Sequence, residues 1–299
     1  MPQKGIAQFA HSEILTYEEI IRIVQTAAGI GFDKVRLTGG EPLVRRNVCD
    51  LVRRLEGISE IQDLALTTNG MHLGQMADEL FSAGLRRINI SLDTLNPFKF
   101  YKITRSDKFK TVWDCISKAE SVGFSPVKIN VVVIRGVNDD EIGAFARLSL
   151  DKPYSIRFIE FMPIGLVNCW RPDRFMPVSE IKEKIEVMAP LEPVPRTHLD
   201  GPVERYRFPS ARGEVGFIGA ISRHFCRSCN RLRLTPDGAL RPCLMSDEEI
   251  DVKTPLRKGC SMQDLEALFY QAVALKPLRP PLALHNNTTG GRIMSRIGG

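Results

Sequence analysis

No apolar run in the 299-residue chain approaches the roughly 20 residues needed to cross a bilayer; the most strand-like stretch, Val131–Ile134, is bounded by Asn130 and Arg135. A soluble protein is expected. The opening MPQKGIAQFAHSE has neither a basic stretch ahead of an apolar core nor an Arg-rich amphipathic segment, so no targeting peptide is visible. The chain reads as intracellular or as lacking its true beginning. Cysteine is scarce: seven residues, odd in number and unevenly spaced, exclude a disulfide scaffold and leave thiols that are reduced or bound to metal. GxSxG, Walker and GxGxxG motifs are missing, and the five His residues form no metal-ligand pair at helical spacing. Excess charge of one sign is small, 41 Lys plus Arg against 35 Asp plus Glu, and a net +6 describes a solvated surface as readily as an anionic partner.

What is present is an ordinary globular composition, 43% hydrophobic and 25% charged, long enough for about two domains. β-Branched runs recur at Val35–Thr38, Leu64–Thr68, Ile88–Leu92, Val127–Ile134 and Ile156–Phe161. Helix-length segments separate them, a pattern of βα units around a parallel sheet. Thr16 and Glu19 form a capping box for a first helix, and Ile20, Ile23, Val24 and Ala27 then share one face until Gly29 and Gly31. Further helices are expected at Val48–Leu55, Met76–Phe81, Val112–Ala119, Val178–Ile185 and Met262–Leu275, with Gly84 and Gly123 as C-terminal caps. The Pro-, Arg- and Gly-rich stretch from Ala189 to Gly213 reads as a connector, followed by hairpin-like segments at Glu214–Ile218 and Leu232–Leu240.

Three groups of residues carry candidate chemistry. The first is Cys226, Cys229 and the later Cys243: three thiolates fit a cubane cluster with one open iron, a closed zinc site completed by His224, or no metal. Cys49, Cys115, Cys169 and Cys260 are isolated. The second group lies at strand ends, where parallel barrels place their working residues: Thr38-Gly39-Gly40-Glu41-Pro42, Thr67-Thr68-Asn69-Gly70, Ser91-Leu92-Asp93 and Glu160-Phe161-Met162. Each alone also makes an ordinary turn. The third is a set of cations within strand runs, Arg36, Lys128, Arg157, Arg231 and Arg233, which are costly to bury unless they face a carboxylate or a bound polyanion. The doublets Arg45-Arg46, Arg53-Arg54 and Arg86-Arg87 read as surface.

Taken together, RLTGGEPL, LTTNG, INISLDTL, VKINVVVIRGVND, RFIEFMP, HFCRSCNRLRLTPDG with Cys243, and the terminal Gly298-Gly299 resemble the radical S-adenosylmethionine GTP 3′,8-cyclase family of molybdenum cofactor biosynthesis, in order along the whole chain. The resemblance implies an α/β fold, an incomplete (βα) TIM-type barrel over residues 1–200, with a smaller cluster- and GTP-binding region over 201–299. It implies that Gly40, Glu41, Ser91 and Met162 bind S-adenosylmethionine, and that Arg36, Thr67, Lys128, Arg157, Arg231, Leu232 and Arg233 contact GTP, with Arg231 and Arg233 in the catalytic role. Cys226, Cys229 and Cys243 are implied ligands of a second [4Fe-4S] cluster whose open iron binds guanine. In that family a 5′-deoxyadenosyl radical takes hydrogen from C3′ and the carbon radical attacks C8, giving (8S)-3′,8-cyclo-7,8-dihydroguanosine 5′-triphosphate. A downstream cyclic pyranopterin monophosphate synthase is the implied pathway partner, a homodimer is allowed, and the compartment is the cytoplasm or the mitochondrial matrix. A membrane is not expected because no apolar run is long enough to span one, nor nucleic acid, because the cations sit in strand patterns and are not interleaved with exposed aromatics.

One feature of the family is missing: no CxxxCxxC triplet for the first cluster occurs in these residues, and Met1-Pro2 resembles the dipeptide that follows it. The chain is therefore read as beginning just after that motif, lacking the first strand and cluster loop, and unable by itself to generate 5′-deoxyadenosine. The rival reading is a non-catalytic nucleotide-binding protein with a structural zinc.

Overall fold

The computed structural model describes residues 10–164, 170–197 and 201–280. The MPQKGIAQF opening, Cys169 and the terminal Gly298-Gly299 lie outside the described residues. The chain forms two compact units, one built chiefly from residues 65–163 and 168–225, the other from 2–64 and 226–299.

The first unit is an open βα sheet of the incomplete TIM type. Its strands run β2 (Asp63–Thr68), β3 (Arg87–Ser91), β4 (Val127–Val133), β5 (Tyr154–Glu160), β8 (Glu214–Ile218), β7 (Glu204–Arg207) and β6 (Glu192–Pro193) in spatial order. Pairing is parallel from β2 through β5 to β8 and antiparallel for β7 and β6. The expected strands are thus all present, with ends shifted by a residue or two. The stretch read as a connector contributes two strands, because Tyr206 and Val215 pair across a hairpin that extends the sheet. Pro193, which has no N–H to donate, sits in the terminal strand of that sheet, where a ladder bond is dispensable.

Alternation along these strands separates two chemistries. One face carries Leu66, Ile88, Ile90, Val127, Ile129, Val131, Ile156, Phe158, Val215 and Phe217, all buried. These share the interior with apolar residues of α3 (Leu73–Ser82), α5 (Phe109–Val122), α6 (Ile142–Asp151) and α7 (Val178–Glu186), among them Leu80, Ile116, Phe145 and Ile181. Each such side chain contributes roughly 1.5–3 kcal/mol on leaving water. The opposite face mixes polar residues with a few apolar ones, among them Ala65, Val132, Ile159 and Ile218. A further helix, α4 (Pro97–Thr104), is capped by Asn96, whose Oδ1 accepts from Phe98 and Lys99 N–H.

In the second unit, α1 (Tyr17–Gly29) begins with the expected box: Thr16 Oγ1 accepts from Glu19 N–H at 3.2 Å and Glu19 Oε2 from Thr16 N–H at 2.7 Å. β1 (Lys34–Leu37) and α2 (Val48–Glu56) follow. A three-stranded antiparallel sheet, β9 (Arg233–Leu234), β10 (Ala239–Arg241) and β11 (Ile250–Asp251), precedes α8 (Lys253–Arg257) and α9 (Met262–Ala274). Leu15, Ile23, Ala27, Leu240, Val252, Leu256, Leu265, Phe269 and Ala272 form one core, so the first helix is packed against the last. Arg257 adds hydrogen bonds to Glu19 and to the Ser12 and Ile14 carbonyls. Among the described residues no helix is long and apolar enough to cross a membrane.

Candidate functional site

Strand register builds the polar face of the first unit residue by residue. Thr67 is level with Asn89, Asn89 with Lys128, and Lys128 with Ser155. One pleat further on, Ser91 is level with Asn130 and Asn130 with Arg157. Because side chains two apart share a face, these seven residues line one surface. Lys128 is 4% and Arg157 8% exposed, so the expectation of buried strand cations holds for both. Asn89 donates to Thr67 Oγ1 at 3.3 Å and to the Leu66 carbonyl, while its buried Oδ1, like that of Asn130, accepts no hydrogen bond. Buried acceptors and cations together suit a ligand that offers both donor groups and negative charge. The two asparagines were not singled out from sequence; their signal was a polar residue at the alternate position of RINIS and VKINVVV.

The other strand ends divide between fold and site. Thr68 Oγ1 accepts from Gly70 N–H and Asn69 Oδ1 from Met71 N–H, so both close their own turn. Gly70 has φ +83° there, and a Cβ would lie 2.8 Å from Cys115 Sγ, which makes glycine a requirement. Glu160 is fully buried on the apolar side, contrary to its reading as a strand-end group open to a ligand. Its carboxylate accepts from Val178 N–H at 2.9 Å, Ile221 N–H at 2.7 Å, Ser222 N–H at 3.0 Å and the Ser222 hydroxyl. Four donors hold it as the staple between β5, the start of α7 and the loop after β8, and Met162 follows two residues later, half-buried. Asp93, just beyond β3, accepts from Val132 N–H at 2.8 Å, and burial pushes its carboxyl up to about 6 against that bond. Asn138 secures the same corner through the Asp93 and Val132 carbonyls.

In the second unit Arg36 is exposed on β1, so the burial argument made for it from sequence fails: the short four-residue strand leaves this position open to water. Gly40 is exposed, and a Cβ on Gly39, at φ +132°, would meet open space. Glu41 Oε1 accepts from Leu43 N–H and caps the short helix behind the GGEP turn.

Cys226, Cys229 and Cys243 are free and half-buried in the same unit. Burial, then the charges of Cys243 and Cys229, push the Cys226 thiol up. Burial also raises Cys229, but the Arg231 backbone and guanidinium and Lys276 outweigh it and hold that thiol below its ordinary value. Arg233, half-buried, is pushed down to about 10 by burial first and by the Arg231 charge second. Its strand neighbour Arg241 is buried and held by Glu249 and the Ser246 carbonyl, which fixes the loop carrying Cys243. Three soft thiols within a cationic frame are a donor set whose chemistry suits a thiolate-ligated metal centre, an iron–sulfur cluster among them. Among the described residues no group of three or more His, Cys, Asp or Glu is arranged to hold a single metal ion. For the first cluster the chain holds no cysteine triplet and so no ligand set.

Comparison with known proteins adds independent findings. Residues 3–149 match the radical SAM superfamily, and residues 154–280 match the family described as Molybdenum Cofactor Synthesis C. A GTP 3′,8-cyclase of Moorella thermoacetica is 49% identical over 299 residues, covering 100% of this chain and 92% of that protein. A GTP 3′,8-cyclase of Pelotomaculum thermopropionicum is 46% identical with the same coverage of both. Among solved structures, SuiB of Streptococcus suis bound to S-adenosylmethionine superposes with a TM-score of 0.58 at 14% identity, covering 79% of this chain and 56% of that one, a likeness of fold.

Proposed function

The chain belongs to the GTP 3′,8-cyclase family, and from that premise we propose that it binds GTP and serves the conversion of GTP to (8S)-3′,8-cyclo-7,8-dihydroguanosine 5′-triphosphate in molybdenum cofactor biosynthesis. The observation that carries this reading is the polar strand face, where two buried cations, Lys128 and Arg157, stand in register with Thr67, Asn89, Ser91 and Asn130. A triphosphate offsets the cost of burying such cations, and the rigid strands hold them in place before the ligand arrives. Thr67, Lys128 and Arg157 are assigned to GTP, and Arg36, Arg231, Leu232 and Arg233 join them by family position, Arg231 and Arg233 acting directly on the reacting nucleotide. Ser91, Met162, Gly40 and Glu41 are assigned to S-adenosylmethionine, with the free space beside Gly39 supporting a ligand near the GGEP turn.

Cys226, Cys229 and Cys243 would hold the substrate-binding cluster, which when bound supplies an open iron to fix the purine. The protein's own part is to bind, orient and keep water from the nucleotide. The division near residue 200 is proposed as a functional one, with residues 201–299 bringing the cluster ligands and the arginines. The reading places the protein in the cytoplasm or mitochondrial matrix, upstream of a cyclic pyranopterin monophosphate synthase, and allows a homodimer.

Calorimetric titration of the oxygen-free, iron-reconstituted chain with GTP tests the assignment. Lys128→Met is expected to weaken binding at least tenfold, about 1.4 kcal/mol, and to flatten its salt dependence. Equal affinity in variant and wild type removes Lys128 from the site.

A further inference from the structure

α9 ends at Ala274, and Lys276 turns its ammonium back toward the cysteine region of the same unit. Lys276 Nζ donates to the Arg231 carbonyl at 2.8 Å, to the Pro242 carbonyl at 3.3 Å and to Cys229 Sγ at 3.7 Å. An ammonium has three donors, and all three are engaged. Arg231 is two residues past Cys229, and Pro242 directly precedes Cys243, so one side chain ties the segment bearing Cys226 and Cys229 to the segment bearing Cys243. The short β9 and β10 pairing, two residues deep, also joins those segments.

We propose that Lys276 is a positioning residue of the cluster site: it locks the two cysteine-bearing segments together and, through its hydrogen bond to Cys229 Sγ, raises the reduction potential of the cluster they hold. This rests on the reading that the three cysteines ligate a four-iron cluster. A cluster with three thiolates carries net negative charge, and reduction adds one electron. Cationic donors to the sulfurs favour the more negative state, which is how hydrogen bonds and net charge set such potentials. Lysine suits the task better than arginine because its compact head points donors in three directions, whereas a guanidinium is a flat fork.

The test is oxygen-free reconstitution of wild type, Lys276→Gln, Lys276→Arg and Lys276→Met, with iron analysis and an EPR-monitored redox titration. Without a CxxxCxxC triplet in the chain, the reduced signal belongs to one cluster. Wild type is expected to carry about four irons per chain. Lys276→Gln, which keeps donors and loses charge, is expected to load iron but to shift its midpoint negative by about 59 mV, a tenfold change for one electron. Lys276→Arg should stay near wild type in potential, and Lys276→Met should lose more than half its iron while its apoprotein melts as wild type does. If the Met variant fails to fold, the Gln potential decides alone. Wild-type iron and potential in both Gln and Met variants overturn the role of Lys276 and leave the cluster reading standing. A wild type that binds no iron overturns the cluster reading, and this inference with it.

Discussion

A cation in a strand run is legible in sequence only when the strand is buried. Lys128 and Arg157 met that condition and Arg36 did not, because the short β1 leaves its position open to water. Asn89 and Asn130 escaped notice since a neutral amide breaks an apolar run less visibly than a charge does. Asp93 yields a residue-level test. Its folded carboxyl is raised from 3.8 to about 6, so the fold favours the protonated form; stability from this group is full below about pH 4 and is lost as pH rises through 6. The shift amounts to at most about 3 kcal/mol at neutral pH. Asp93→Asn keeps an acceptor for Val132 N–H and removes the charge. Its unfolding free energy is expected to match wild type near pH 4 and to exceed it by about 1–3 kcal/mol at pH 7. A difference that is constant across that range contradicts the assignment.

Strands and long amphipathic helices were readable from periodicity, while α4 and α6 were not. The α4 run PFKFYKIT is short and mixes aromatics with lysines, and α6 follows a one-turn 3-10 segment, Asp139–Glu141, that obscures its start. Glu160 shows how an element-level constraint imitates a site residue: a carboxylate at a strand end is expected to meet ligand, yet here it joins three elements. Glu160→Ala leaves three backbone N–H groups without an acceptor and is expected to cost on the order of 3–5 kcal/mol. That should lower the thermal midpoint by about 10 °C. Glu160→Gln should lose less, and unchanged melting of the Ala variant would falsify the staple.

Molecule-wide, the pairing of the first helix with residues near the C-terminus has no local signature, because the contacts of Ile23 and Ala27 with Leu265 and Phe269 join positions far apart in the chain. The CxxC spacing and the neighbouring Arg231 were plain, but Arg241 and Lys276, which complete the cationic frame, stand farther along the chain, and only folding brings them in. The central claim is that Cys226, Cys229 and Cys243 hold an open-iron cluster for a purine. Metal and sulfide analysis of oxygen-free protein tests it most directly. About four irons and four sulfides per chain, lost on Cys229→Ala, are expected; one zinc per chain, or no metal at all, contradicts it.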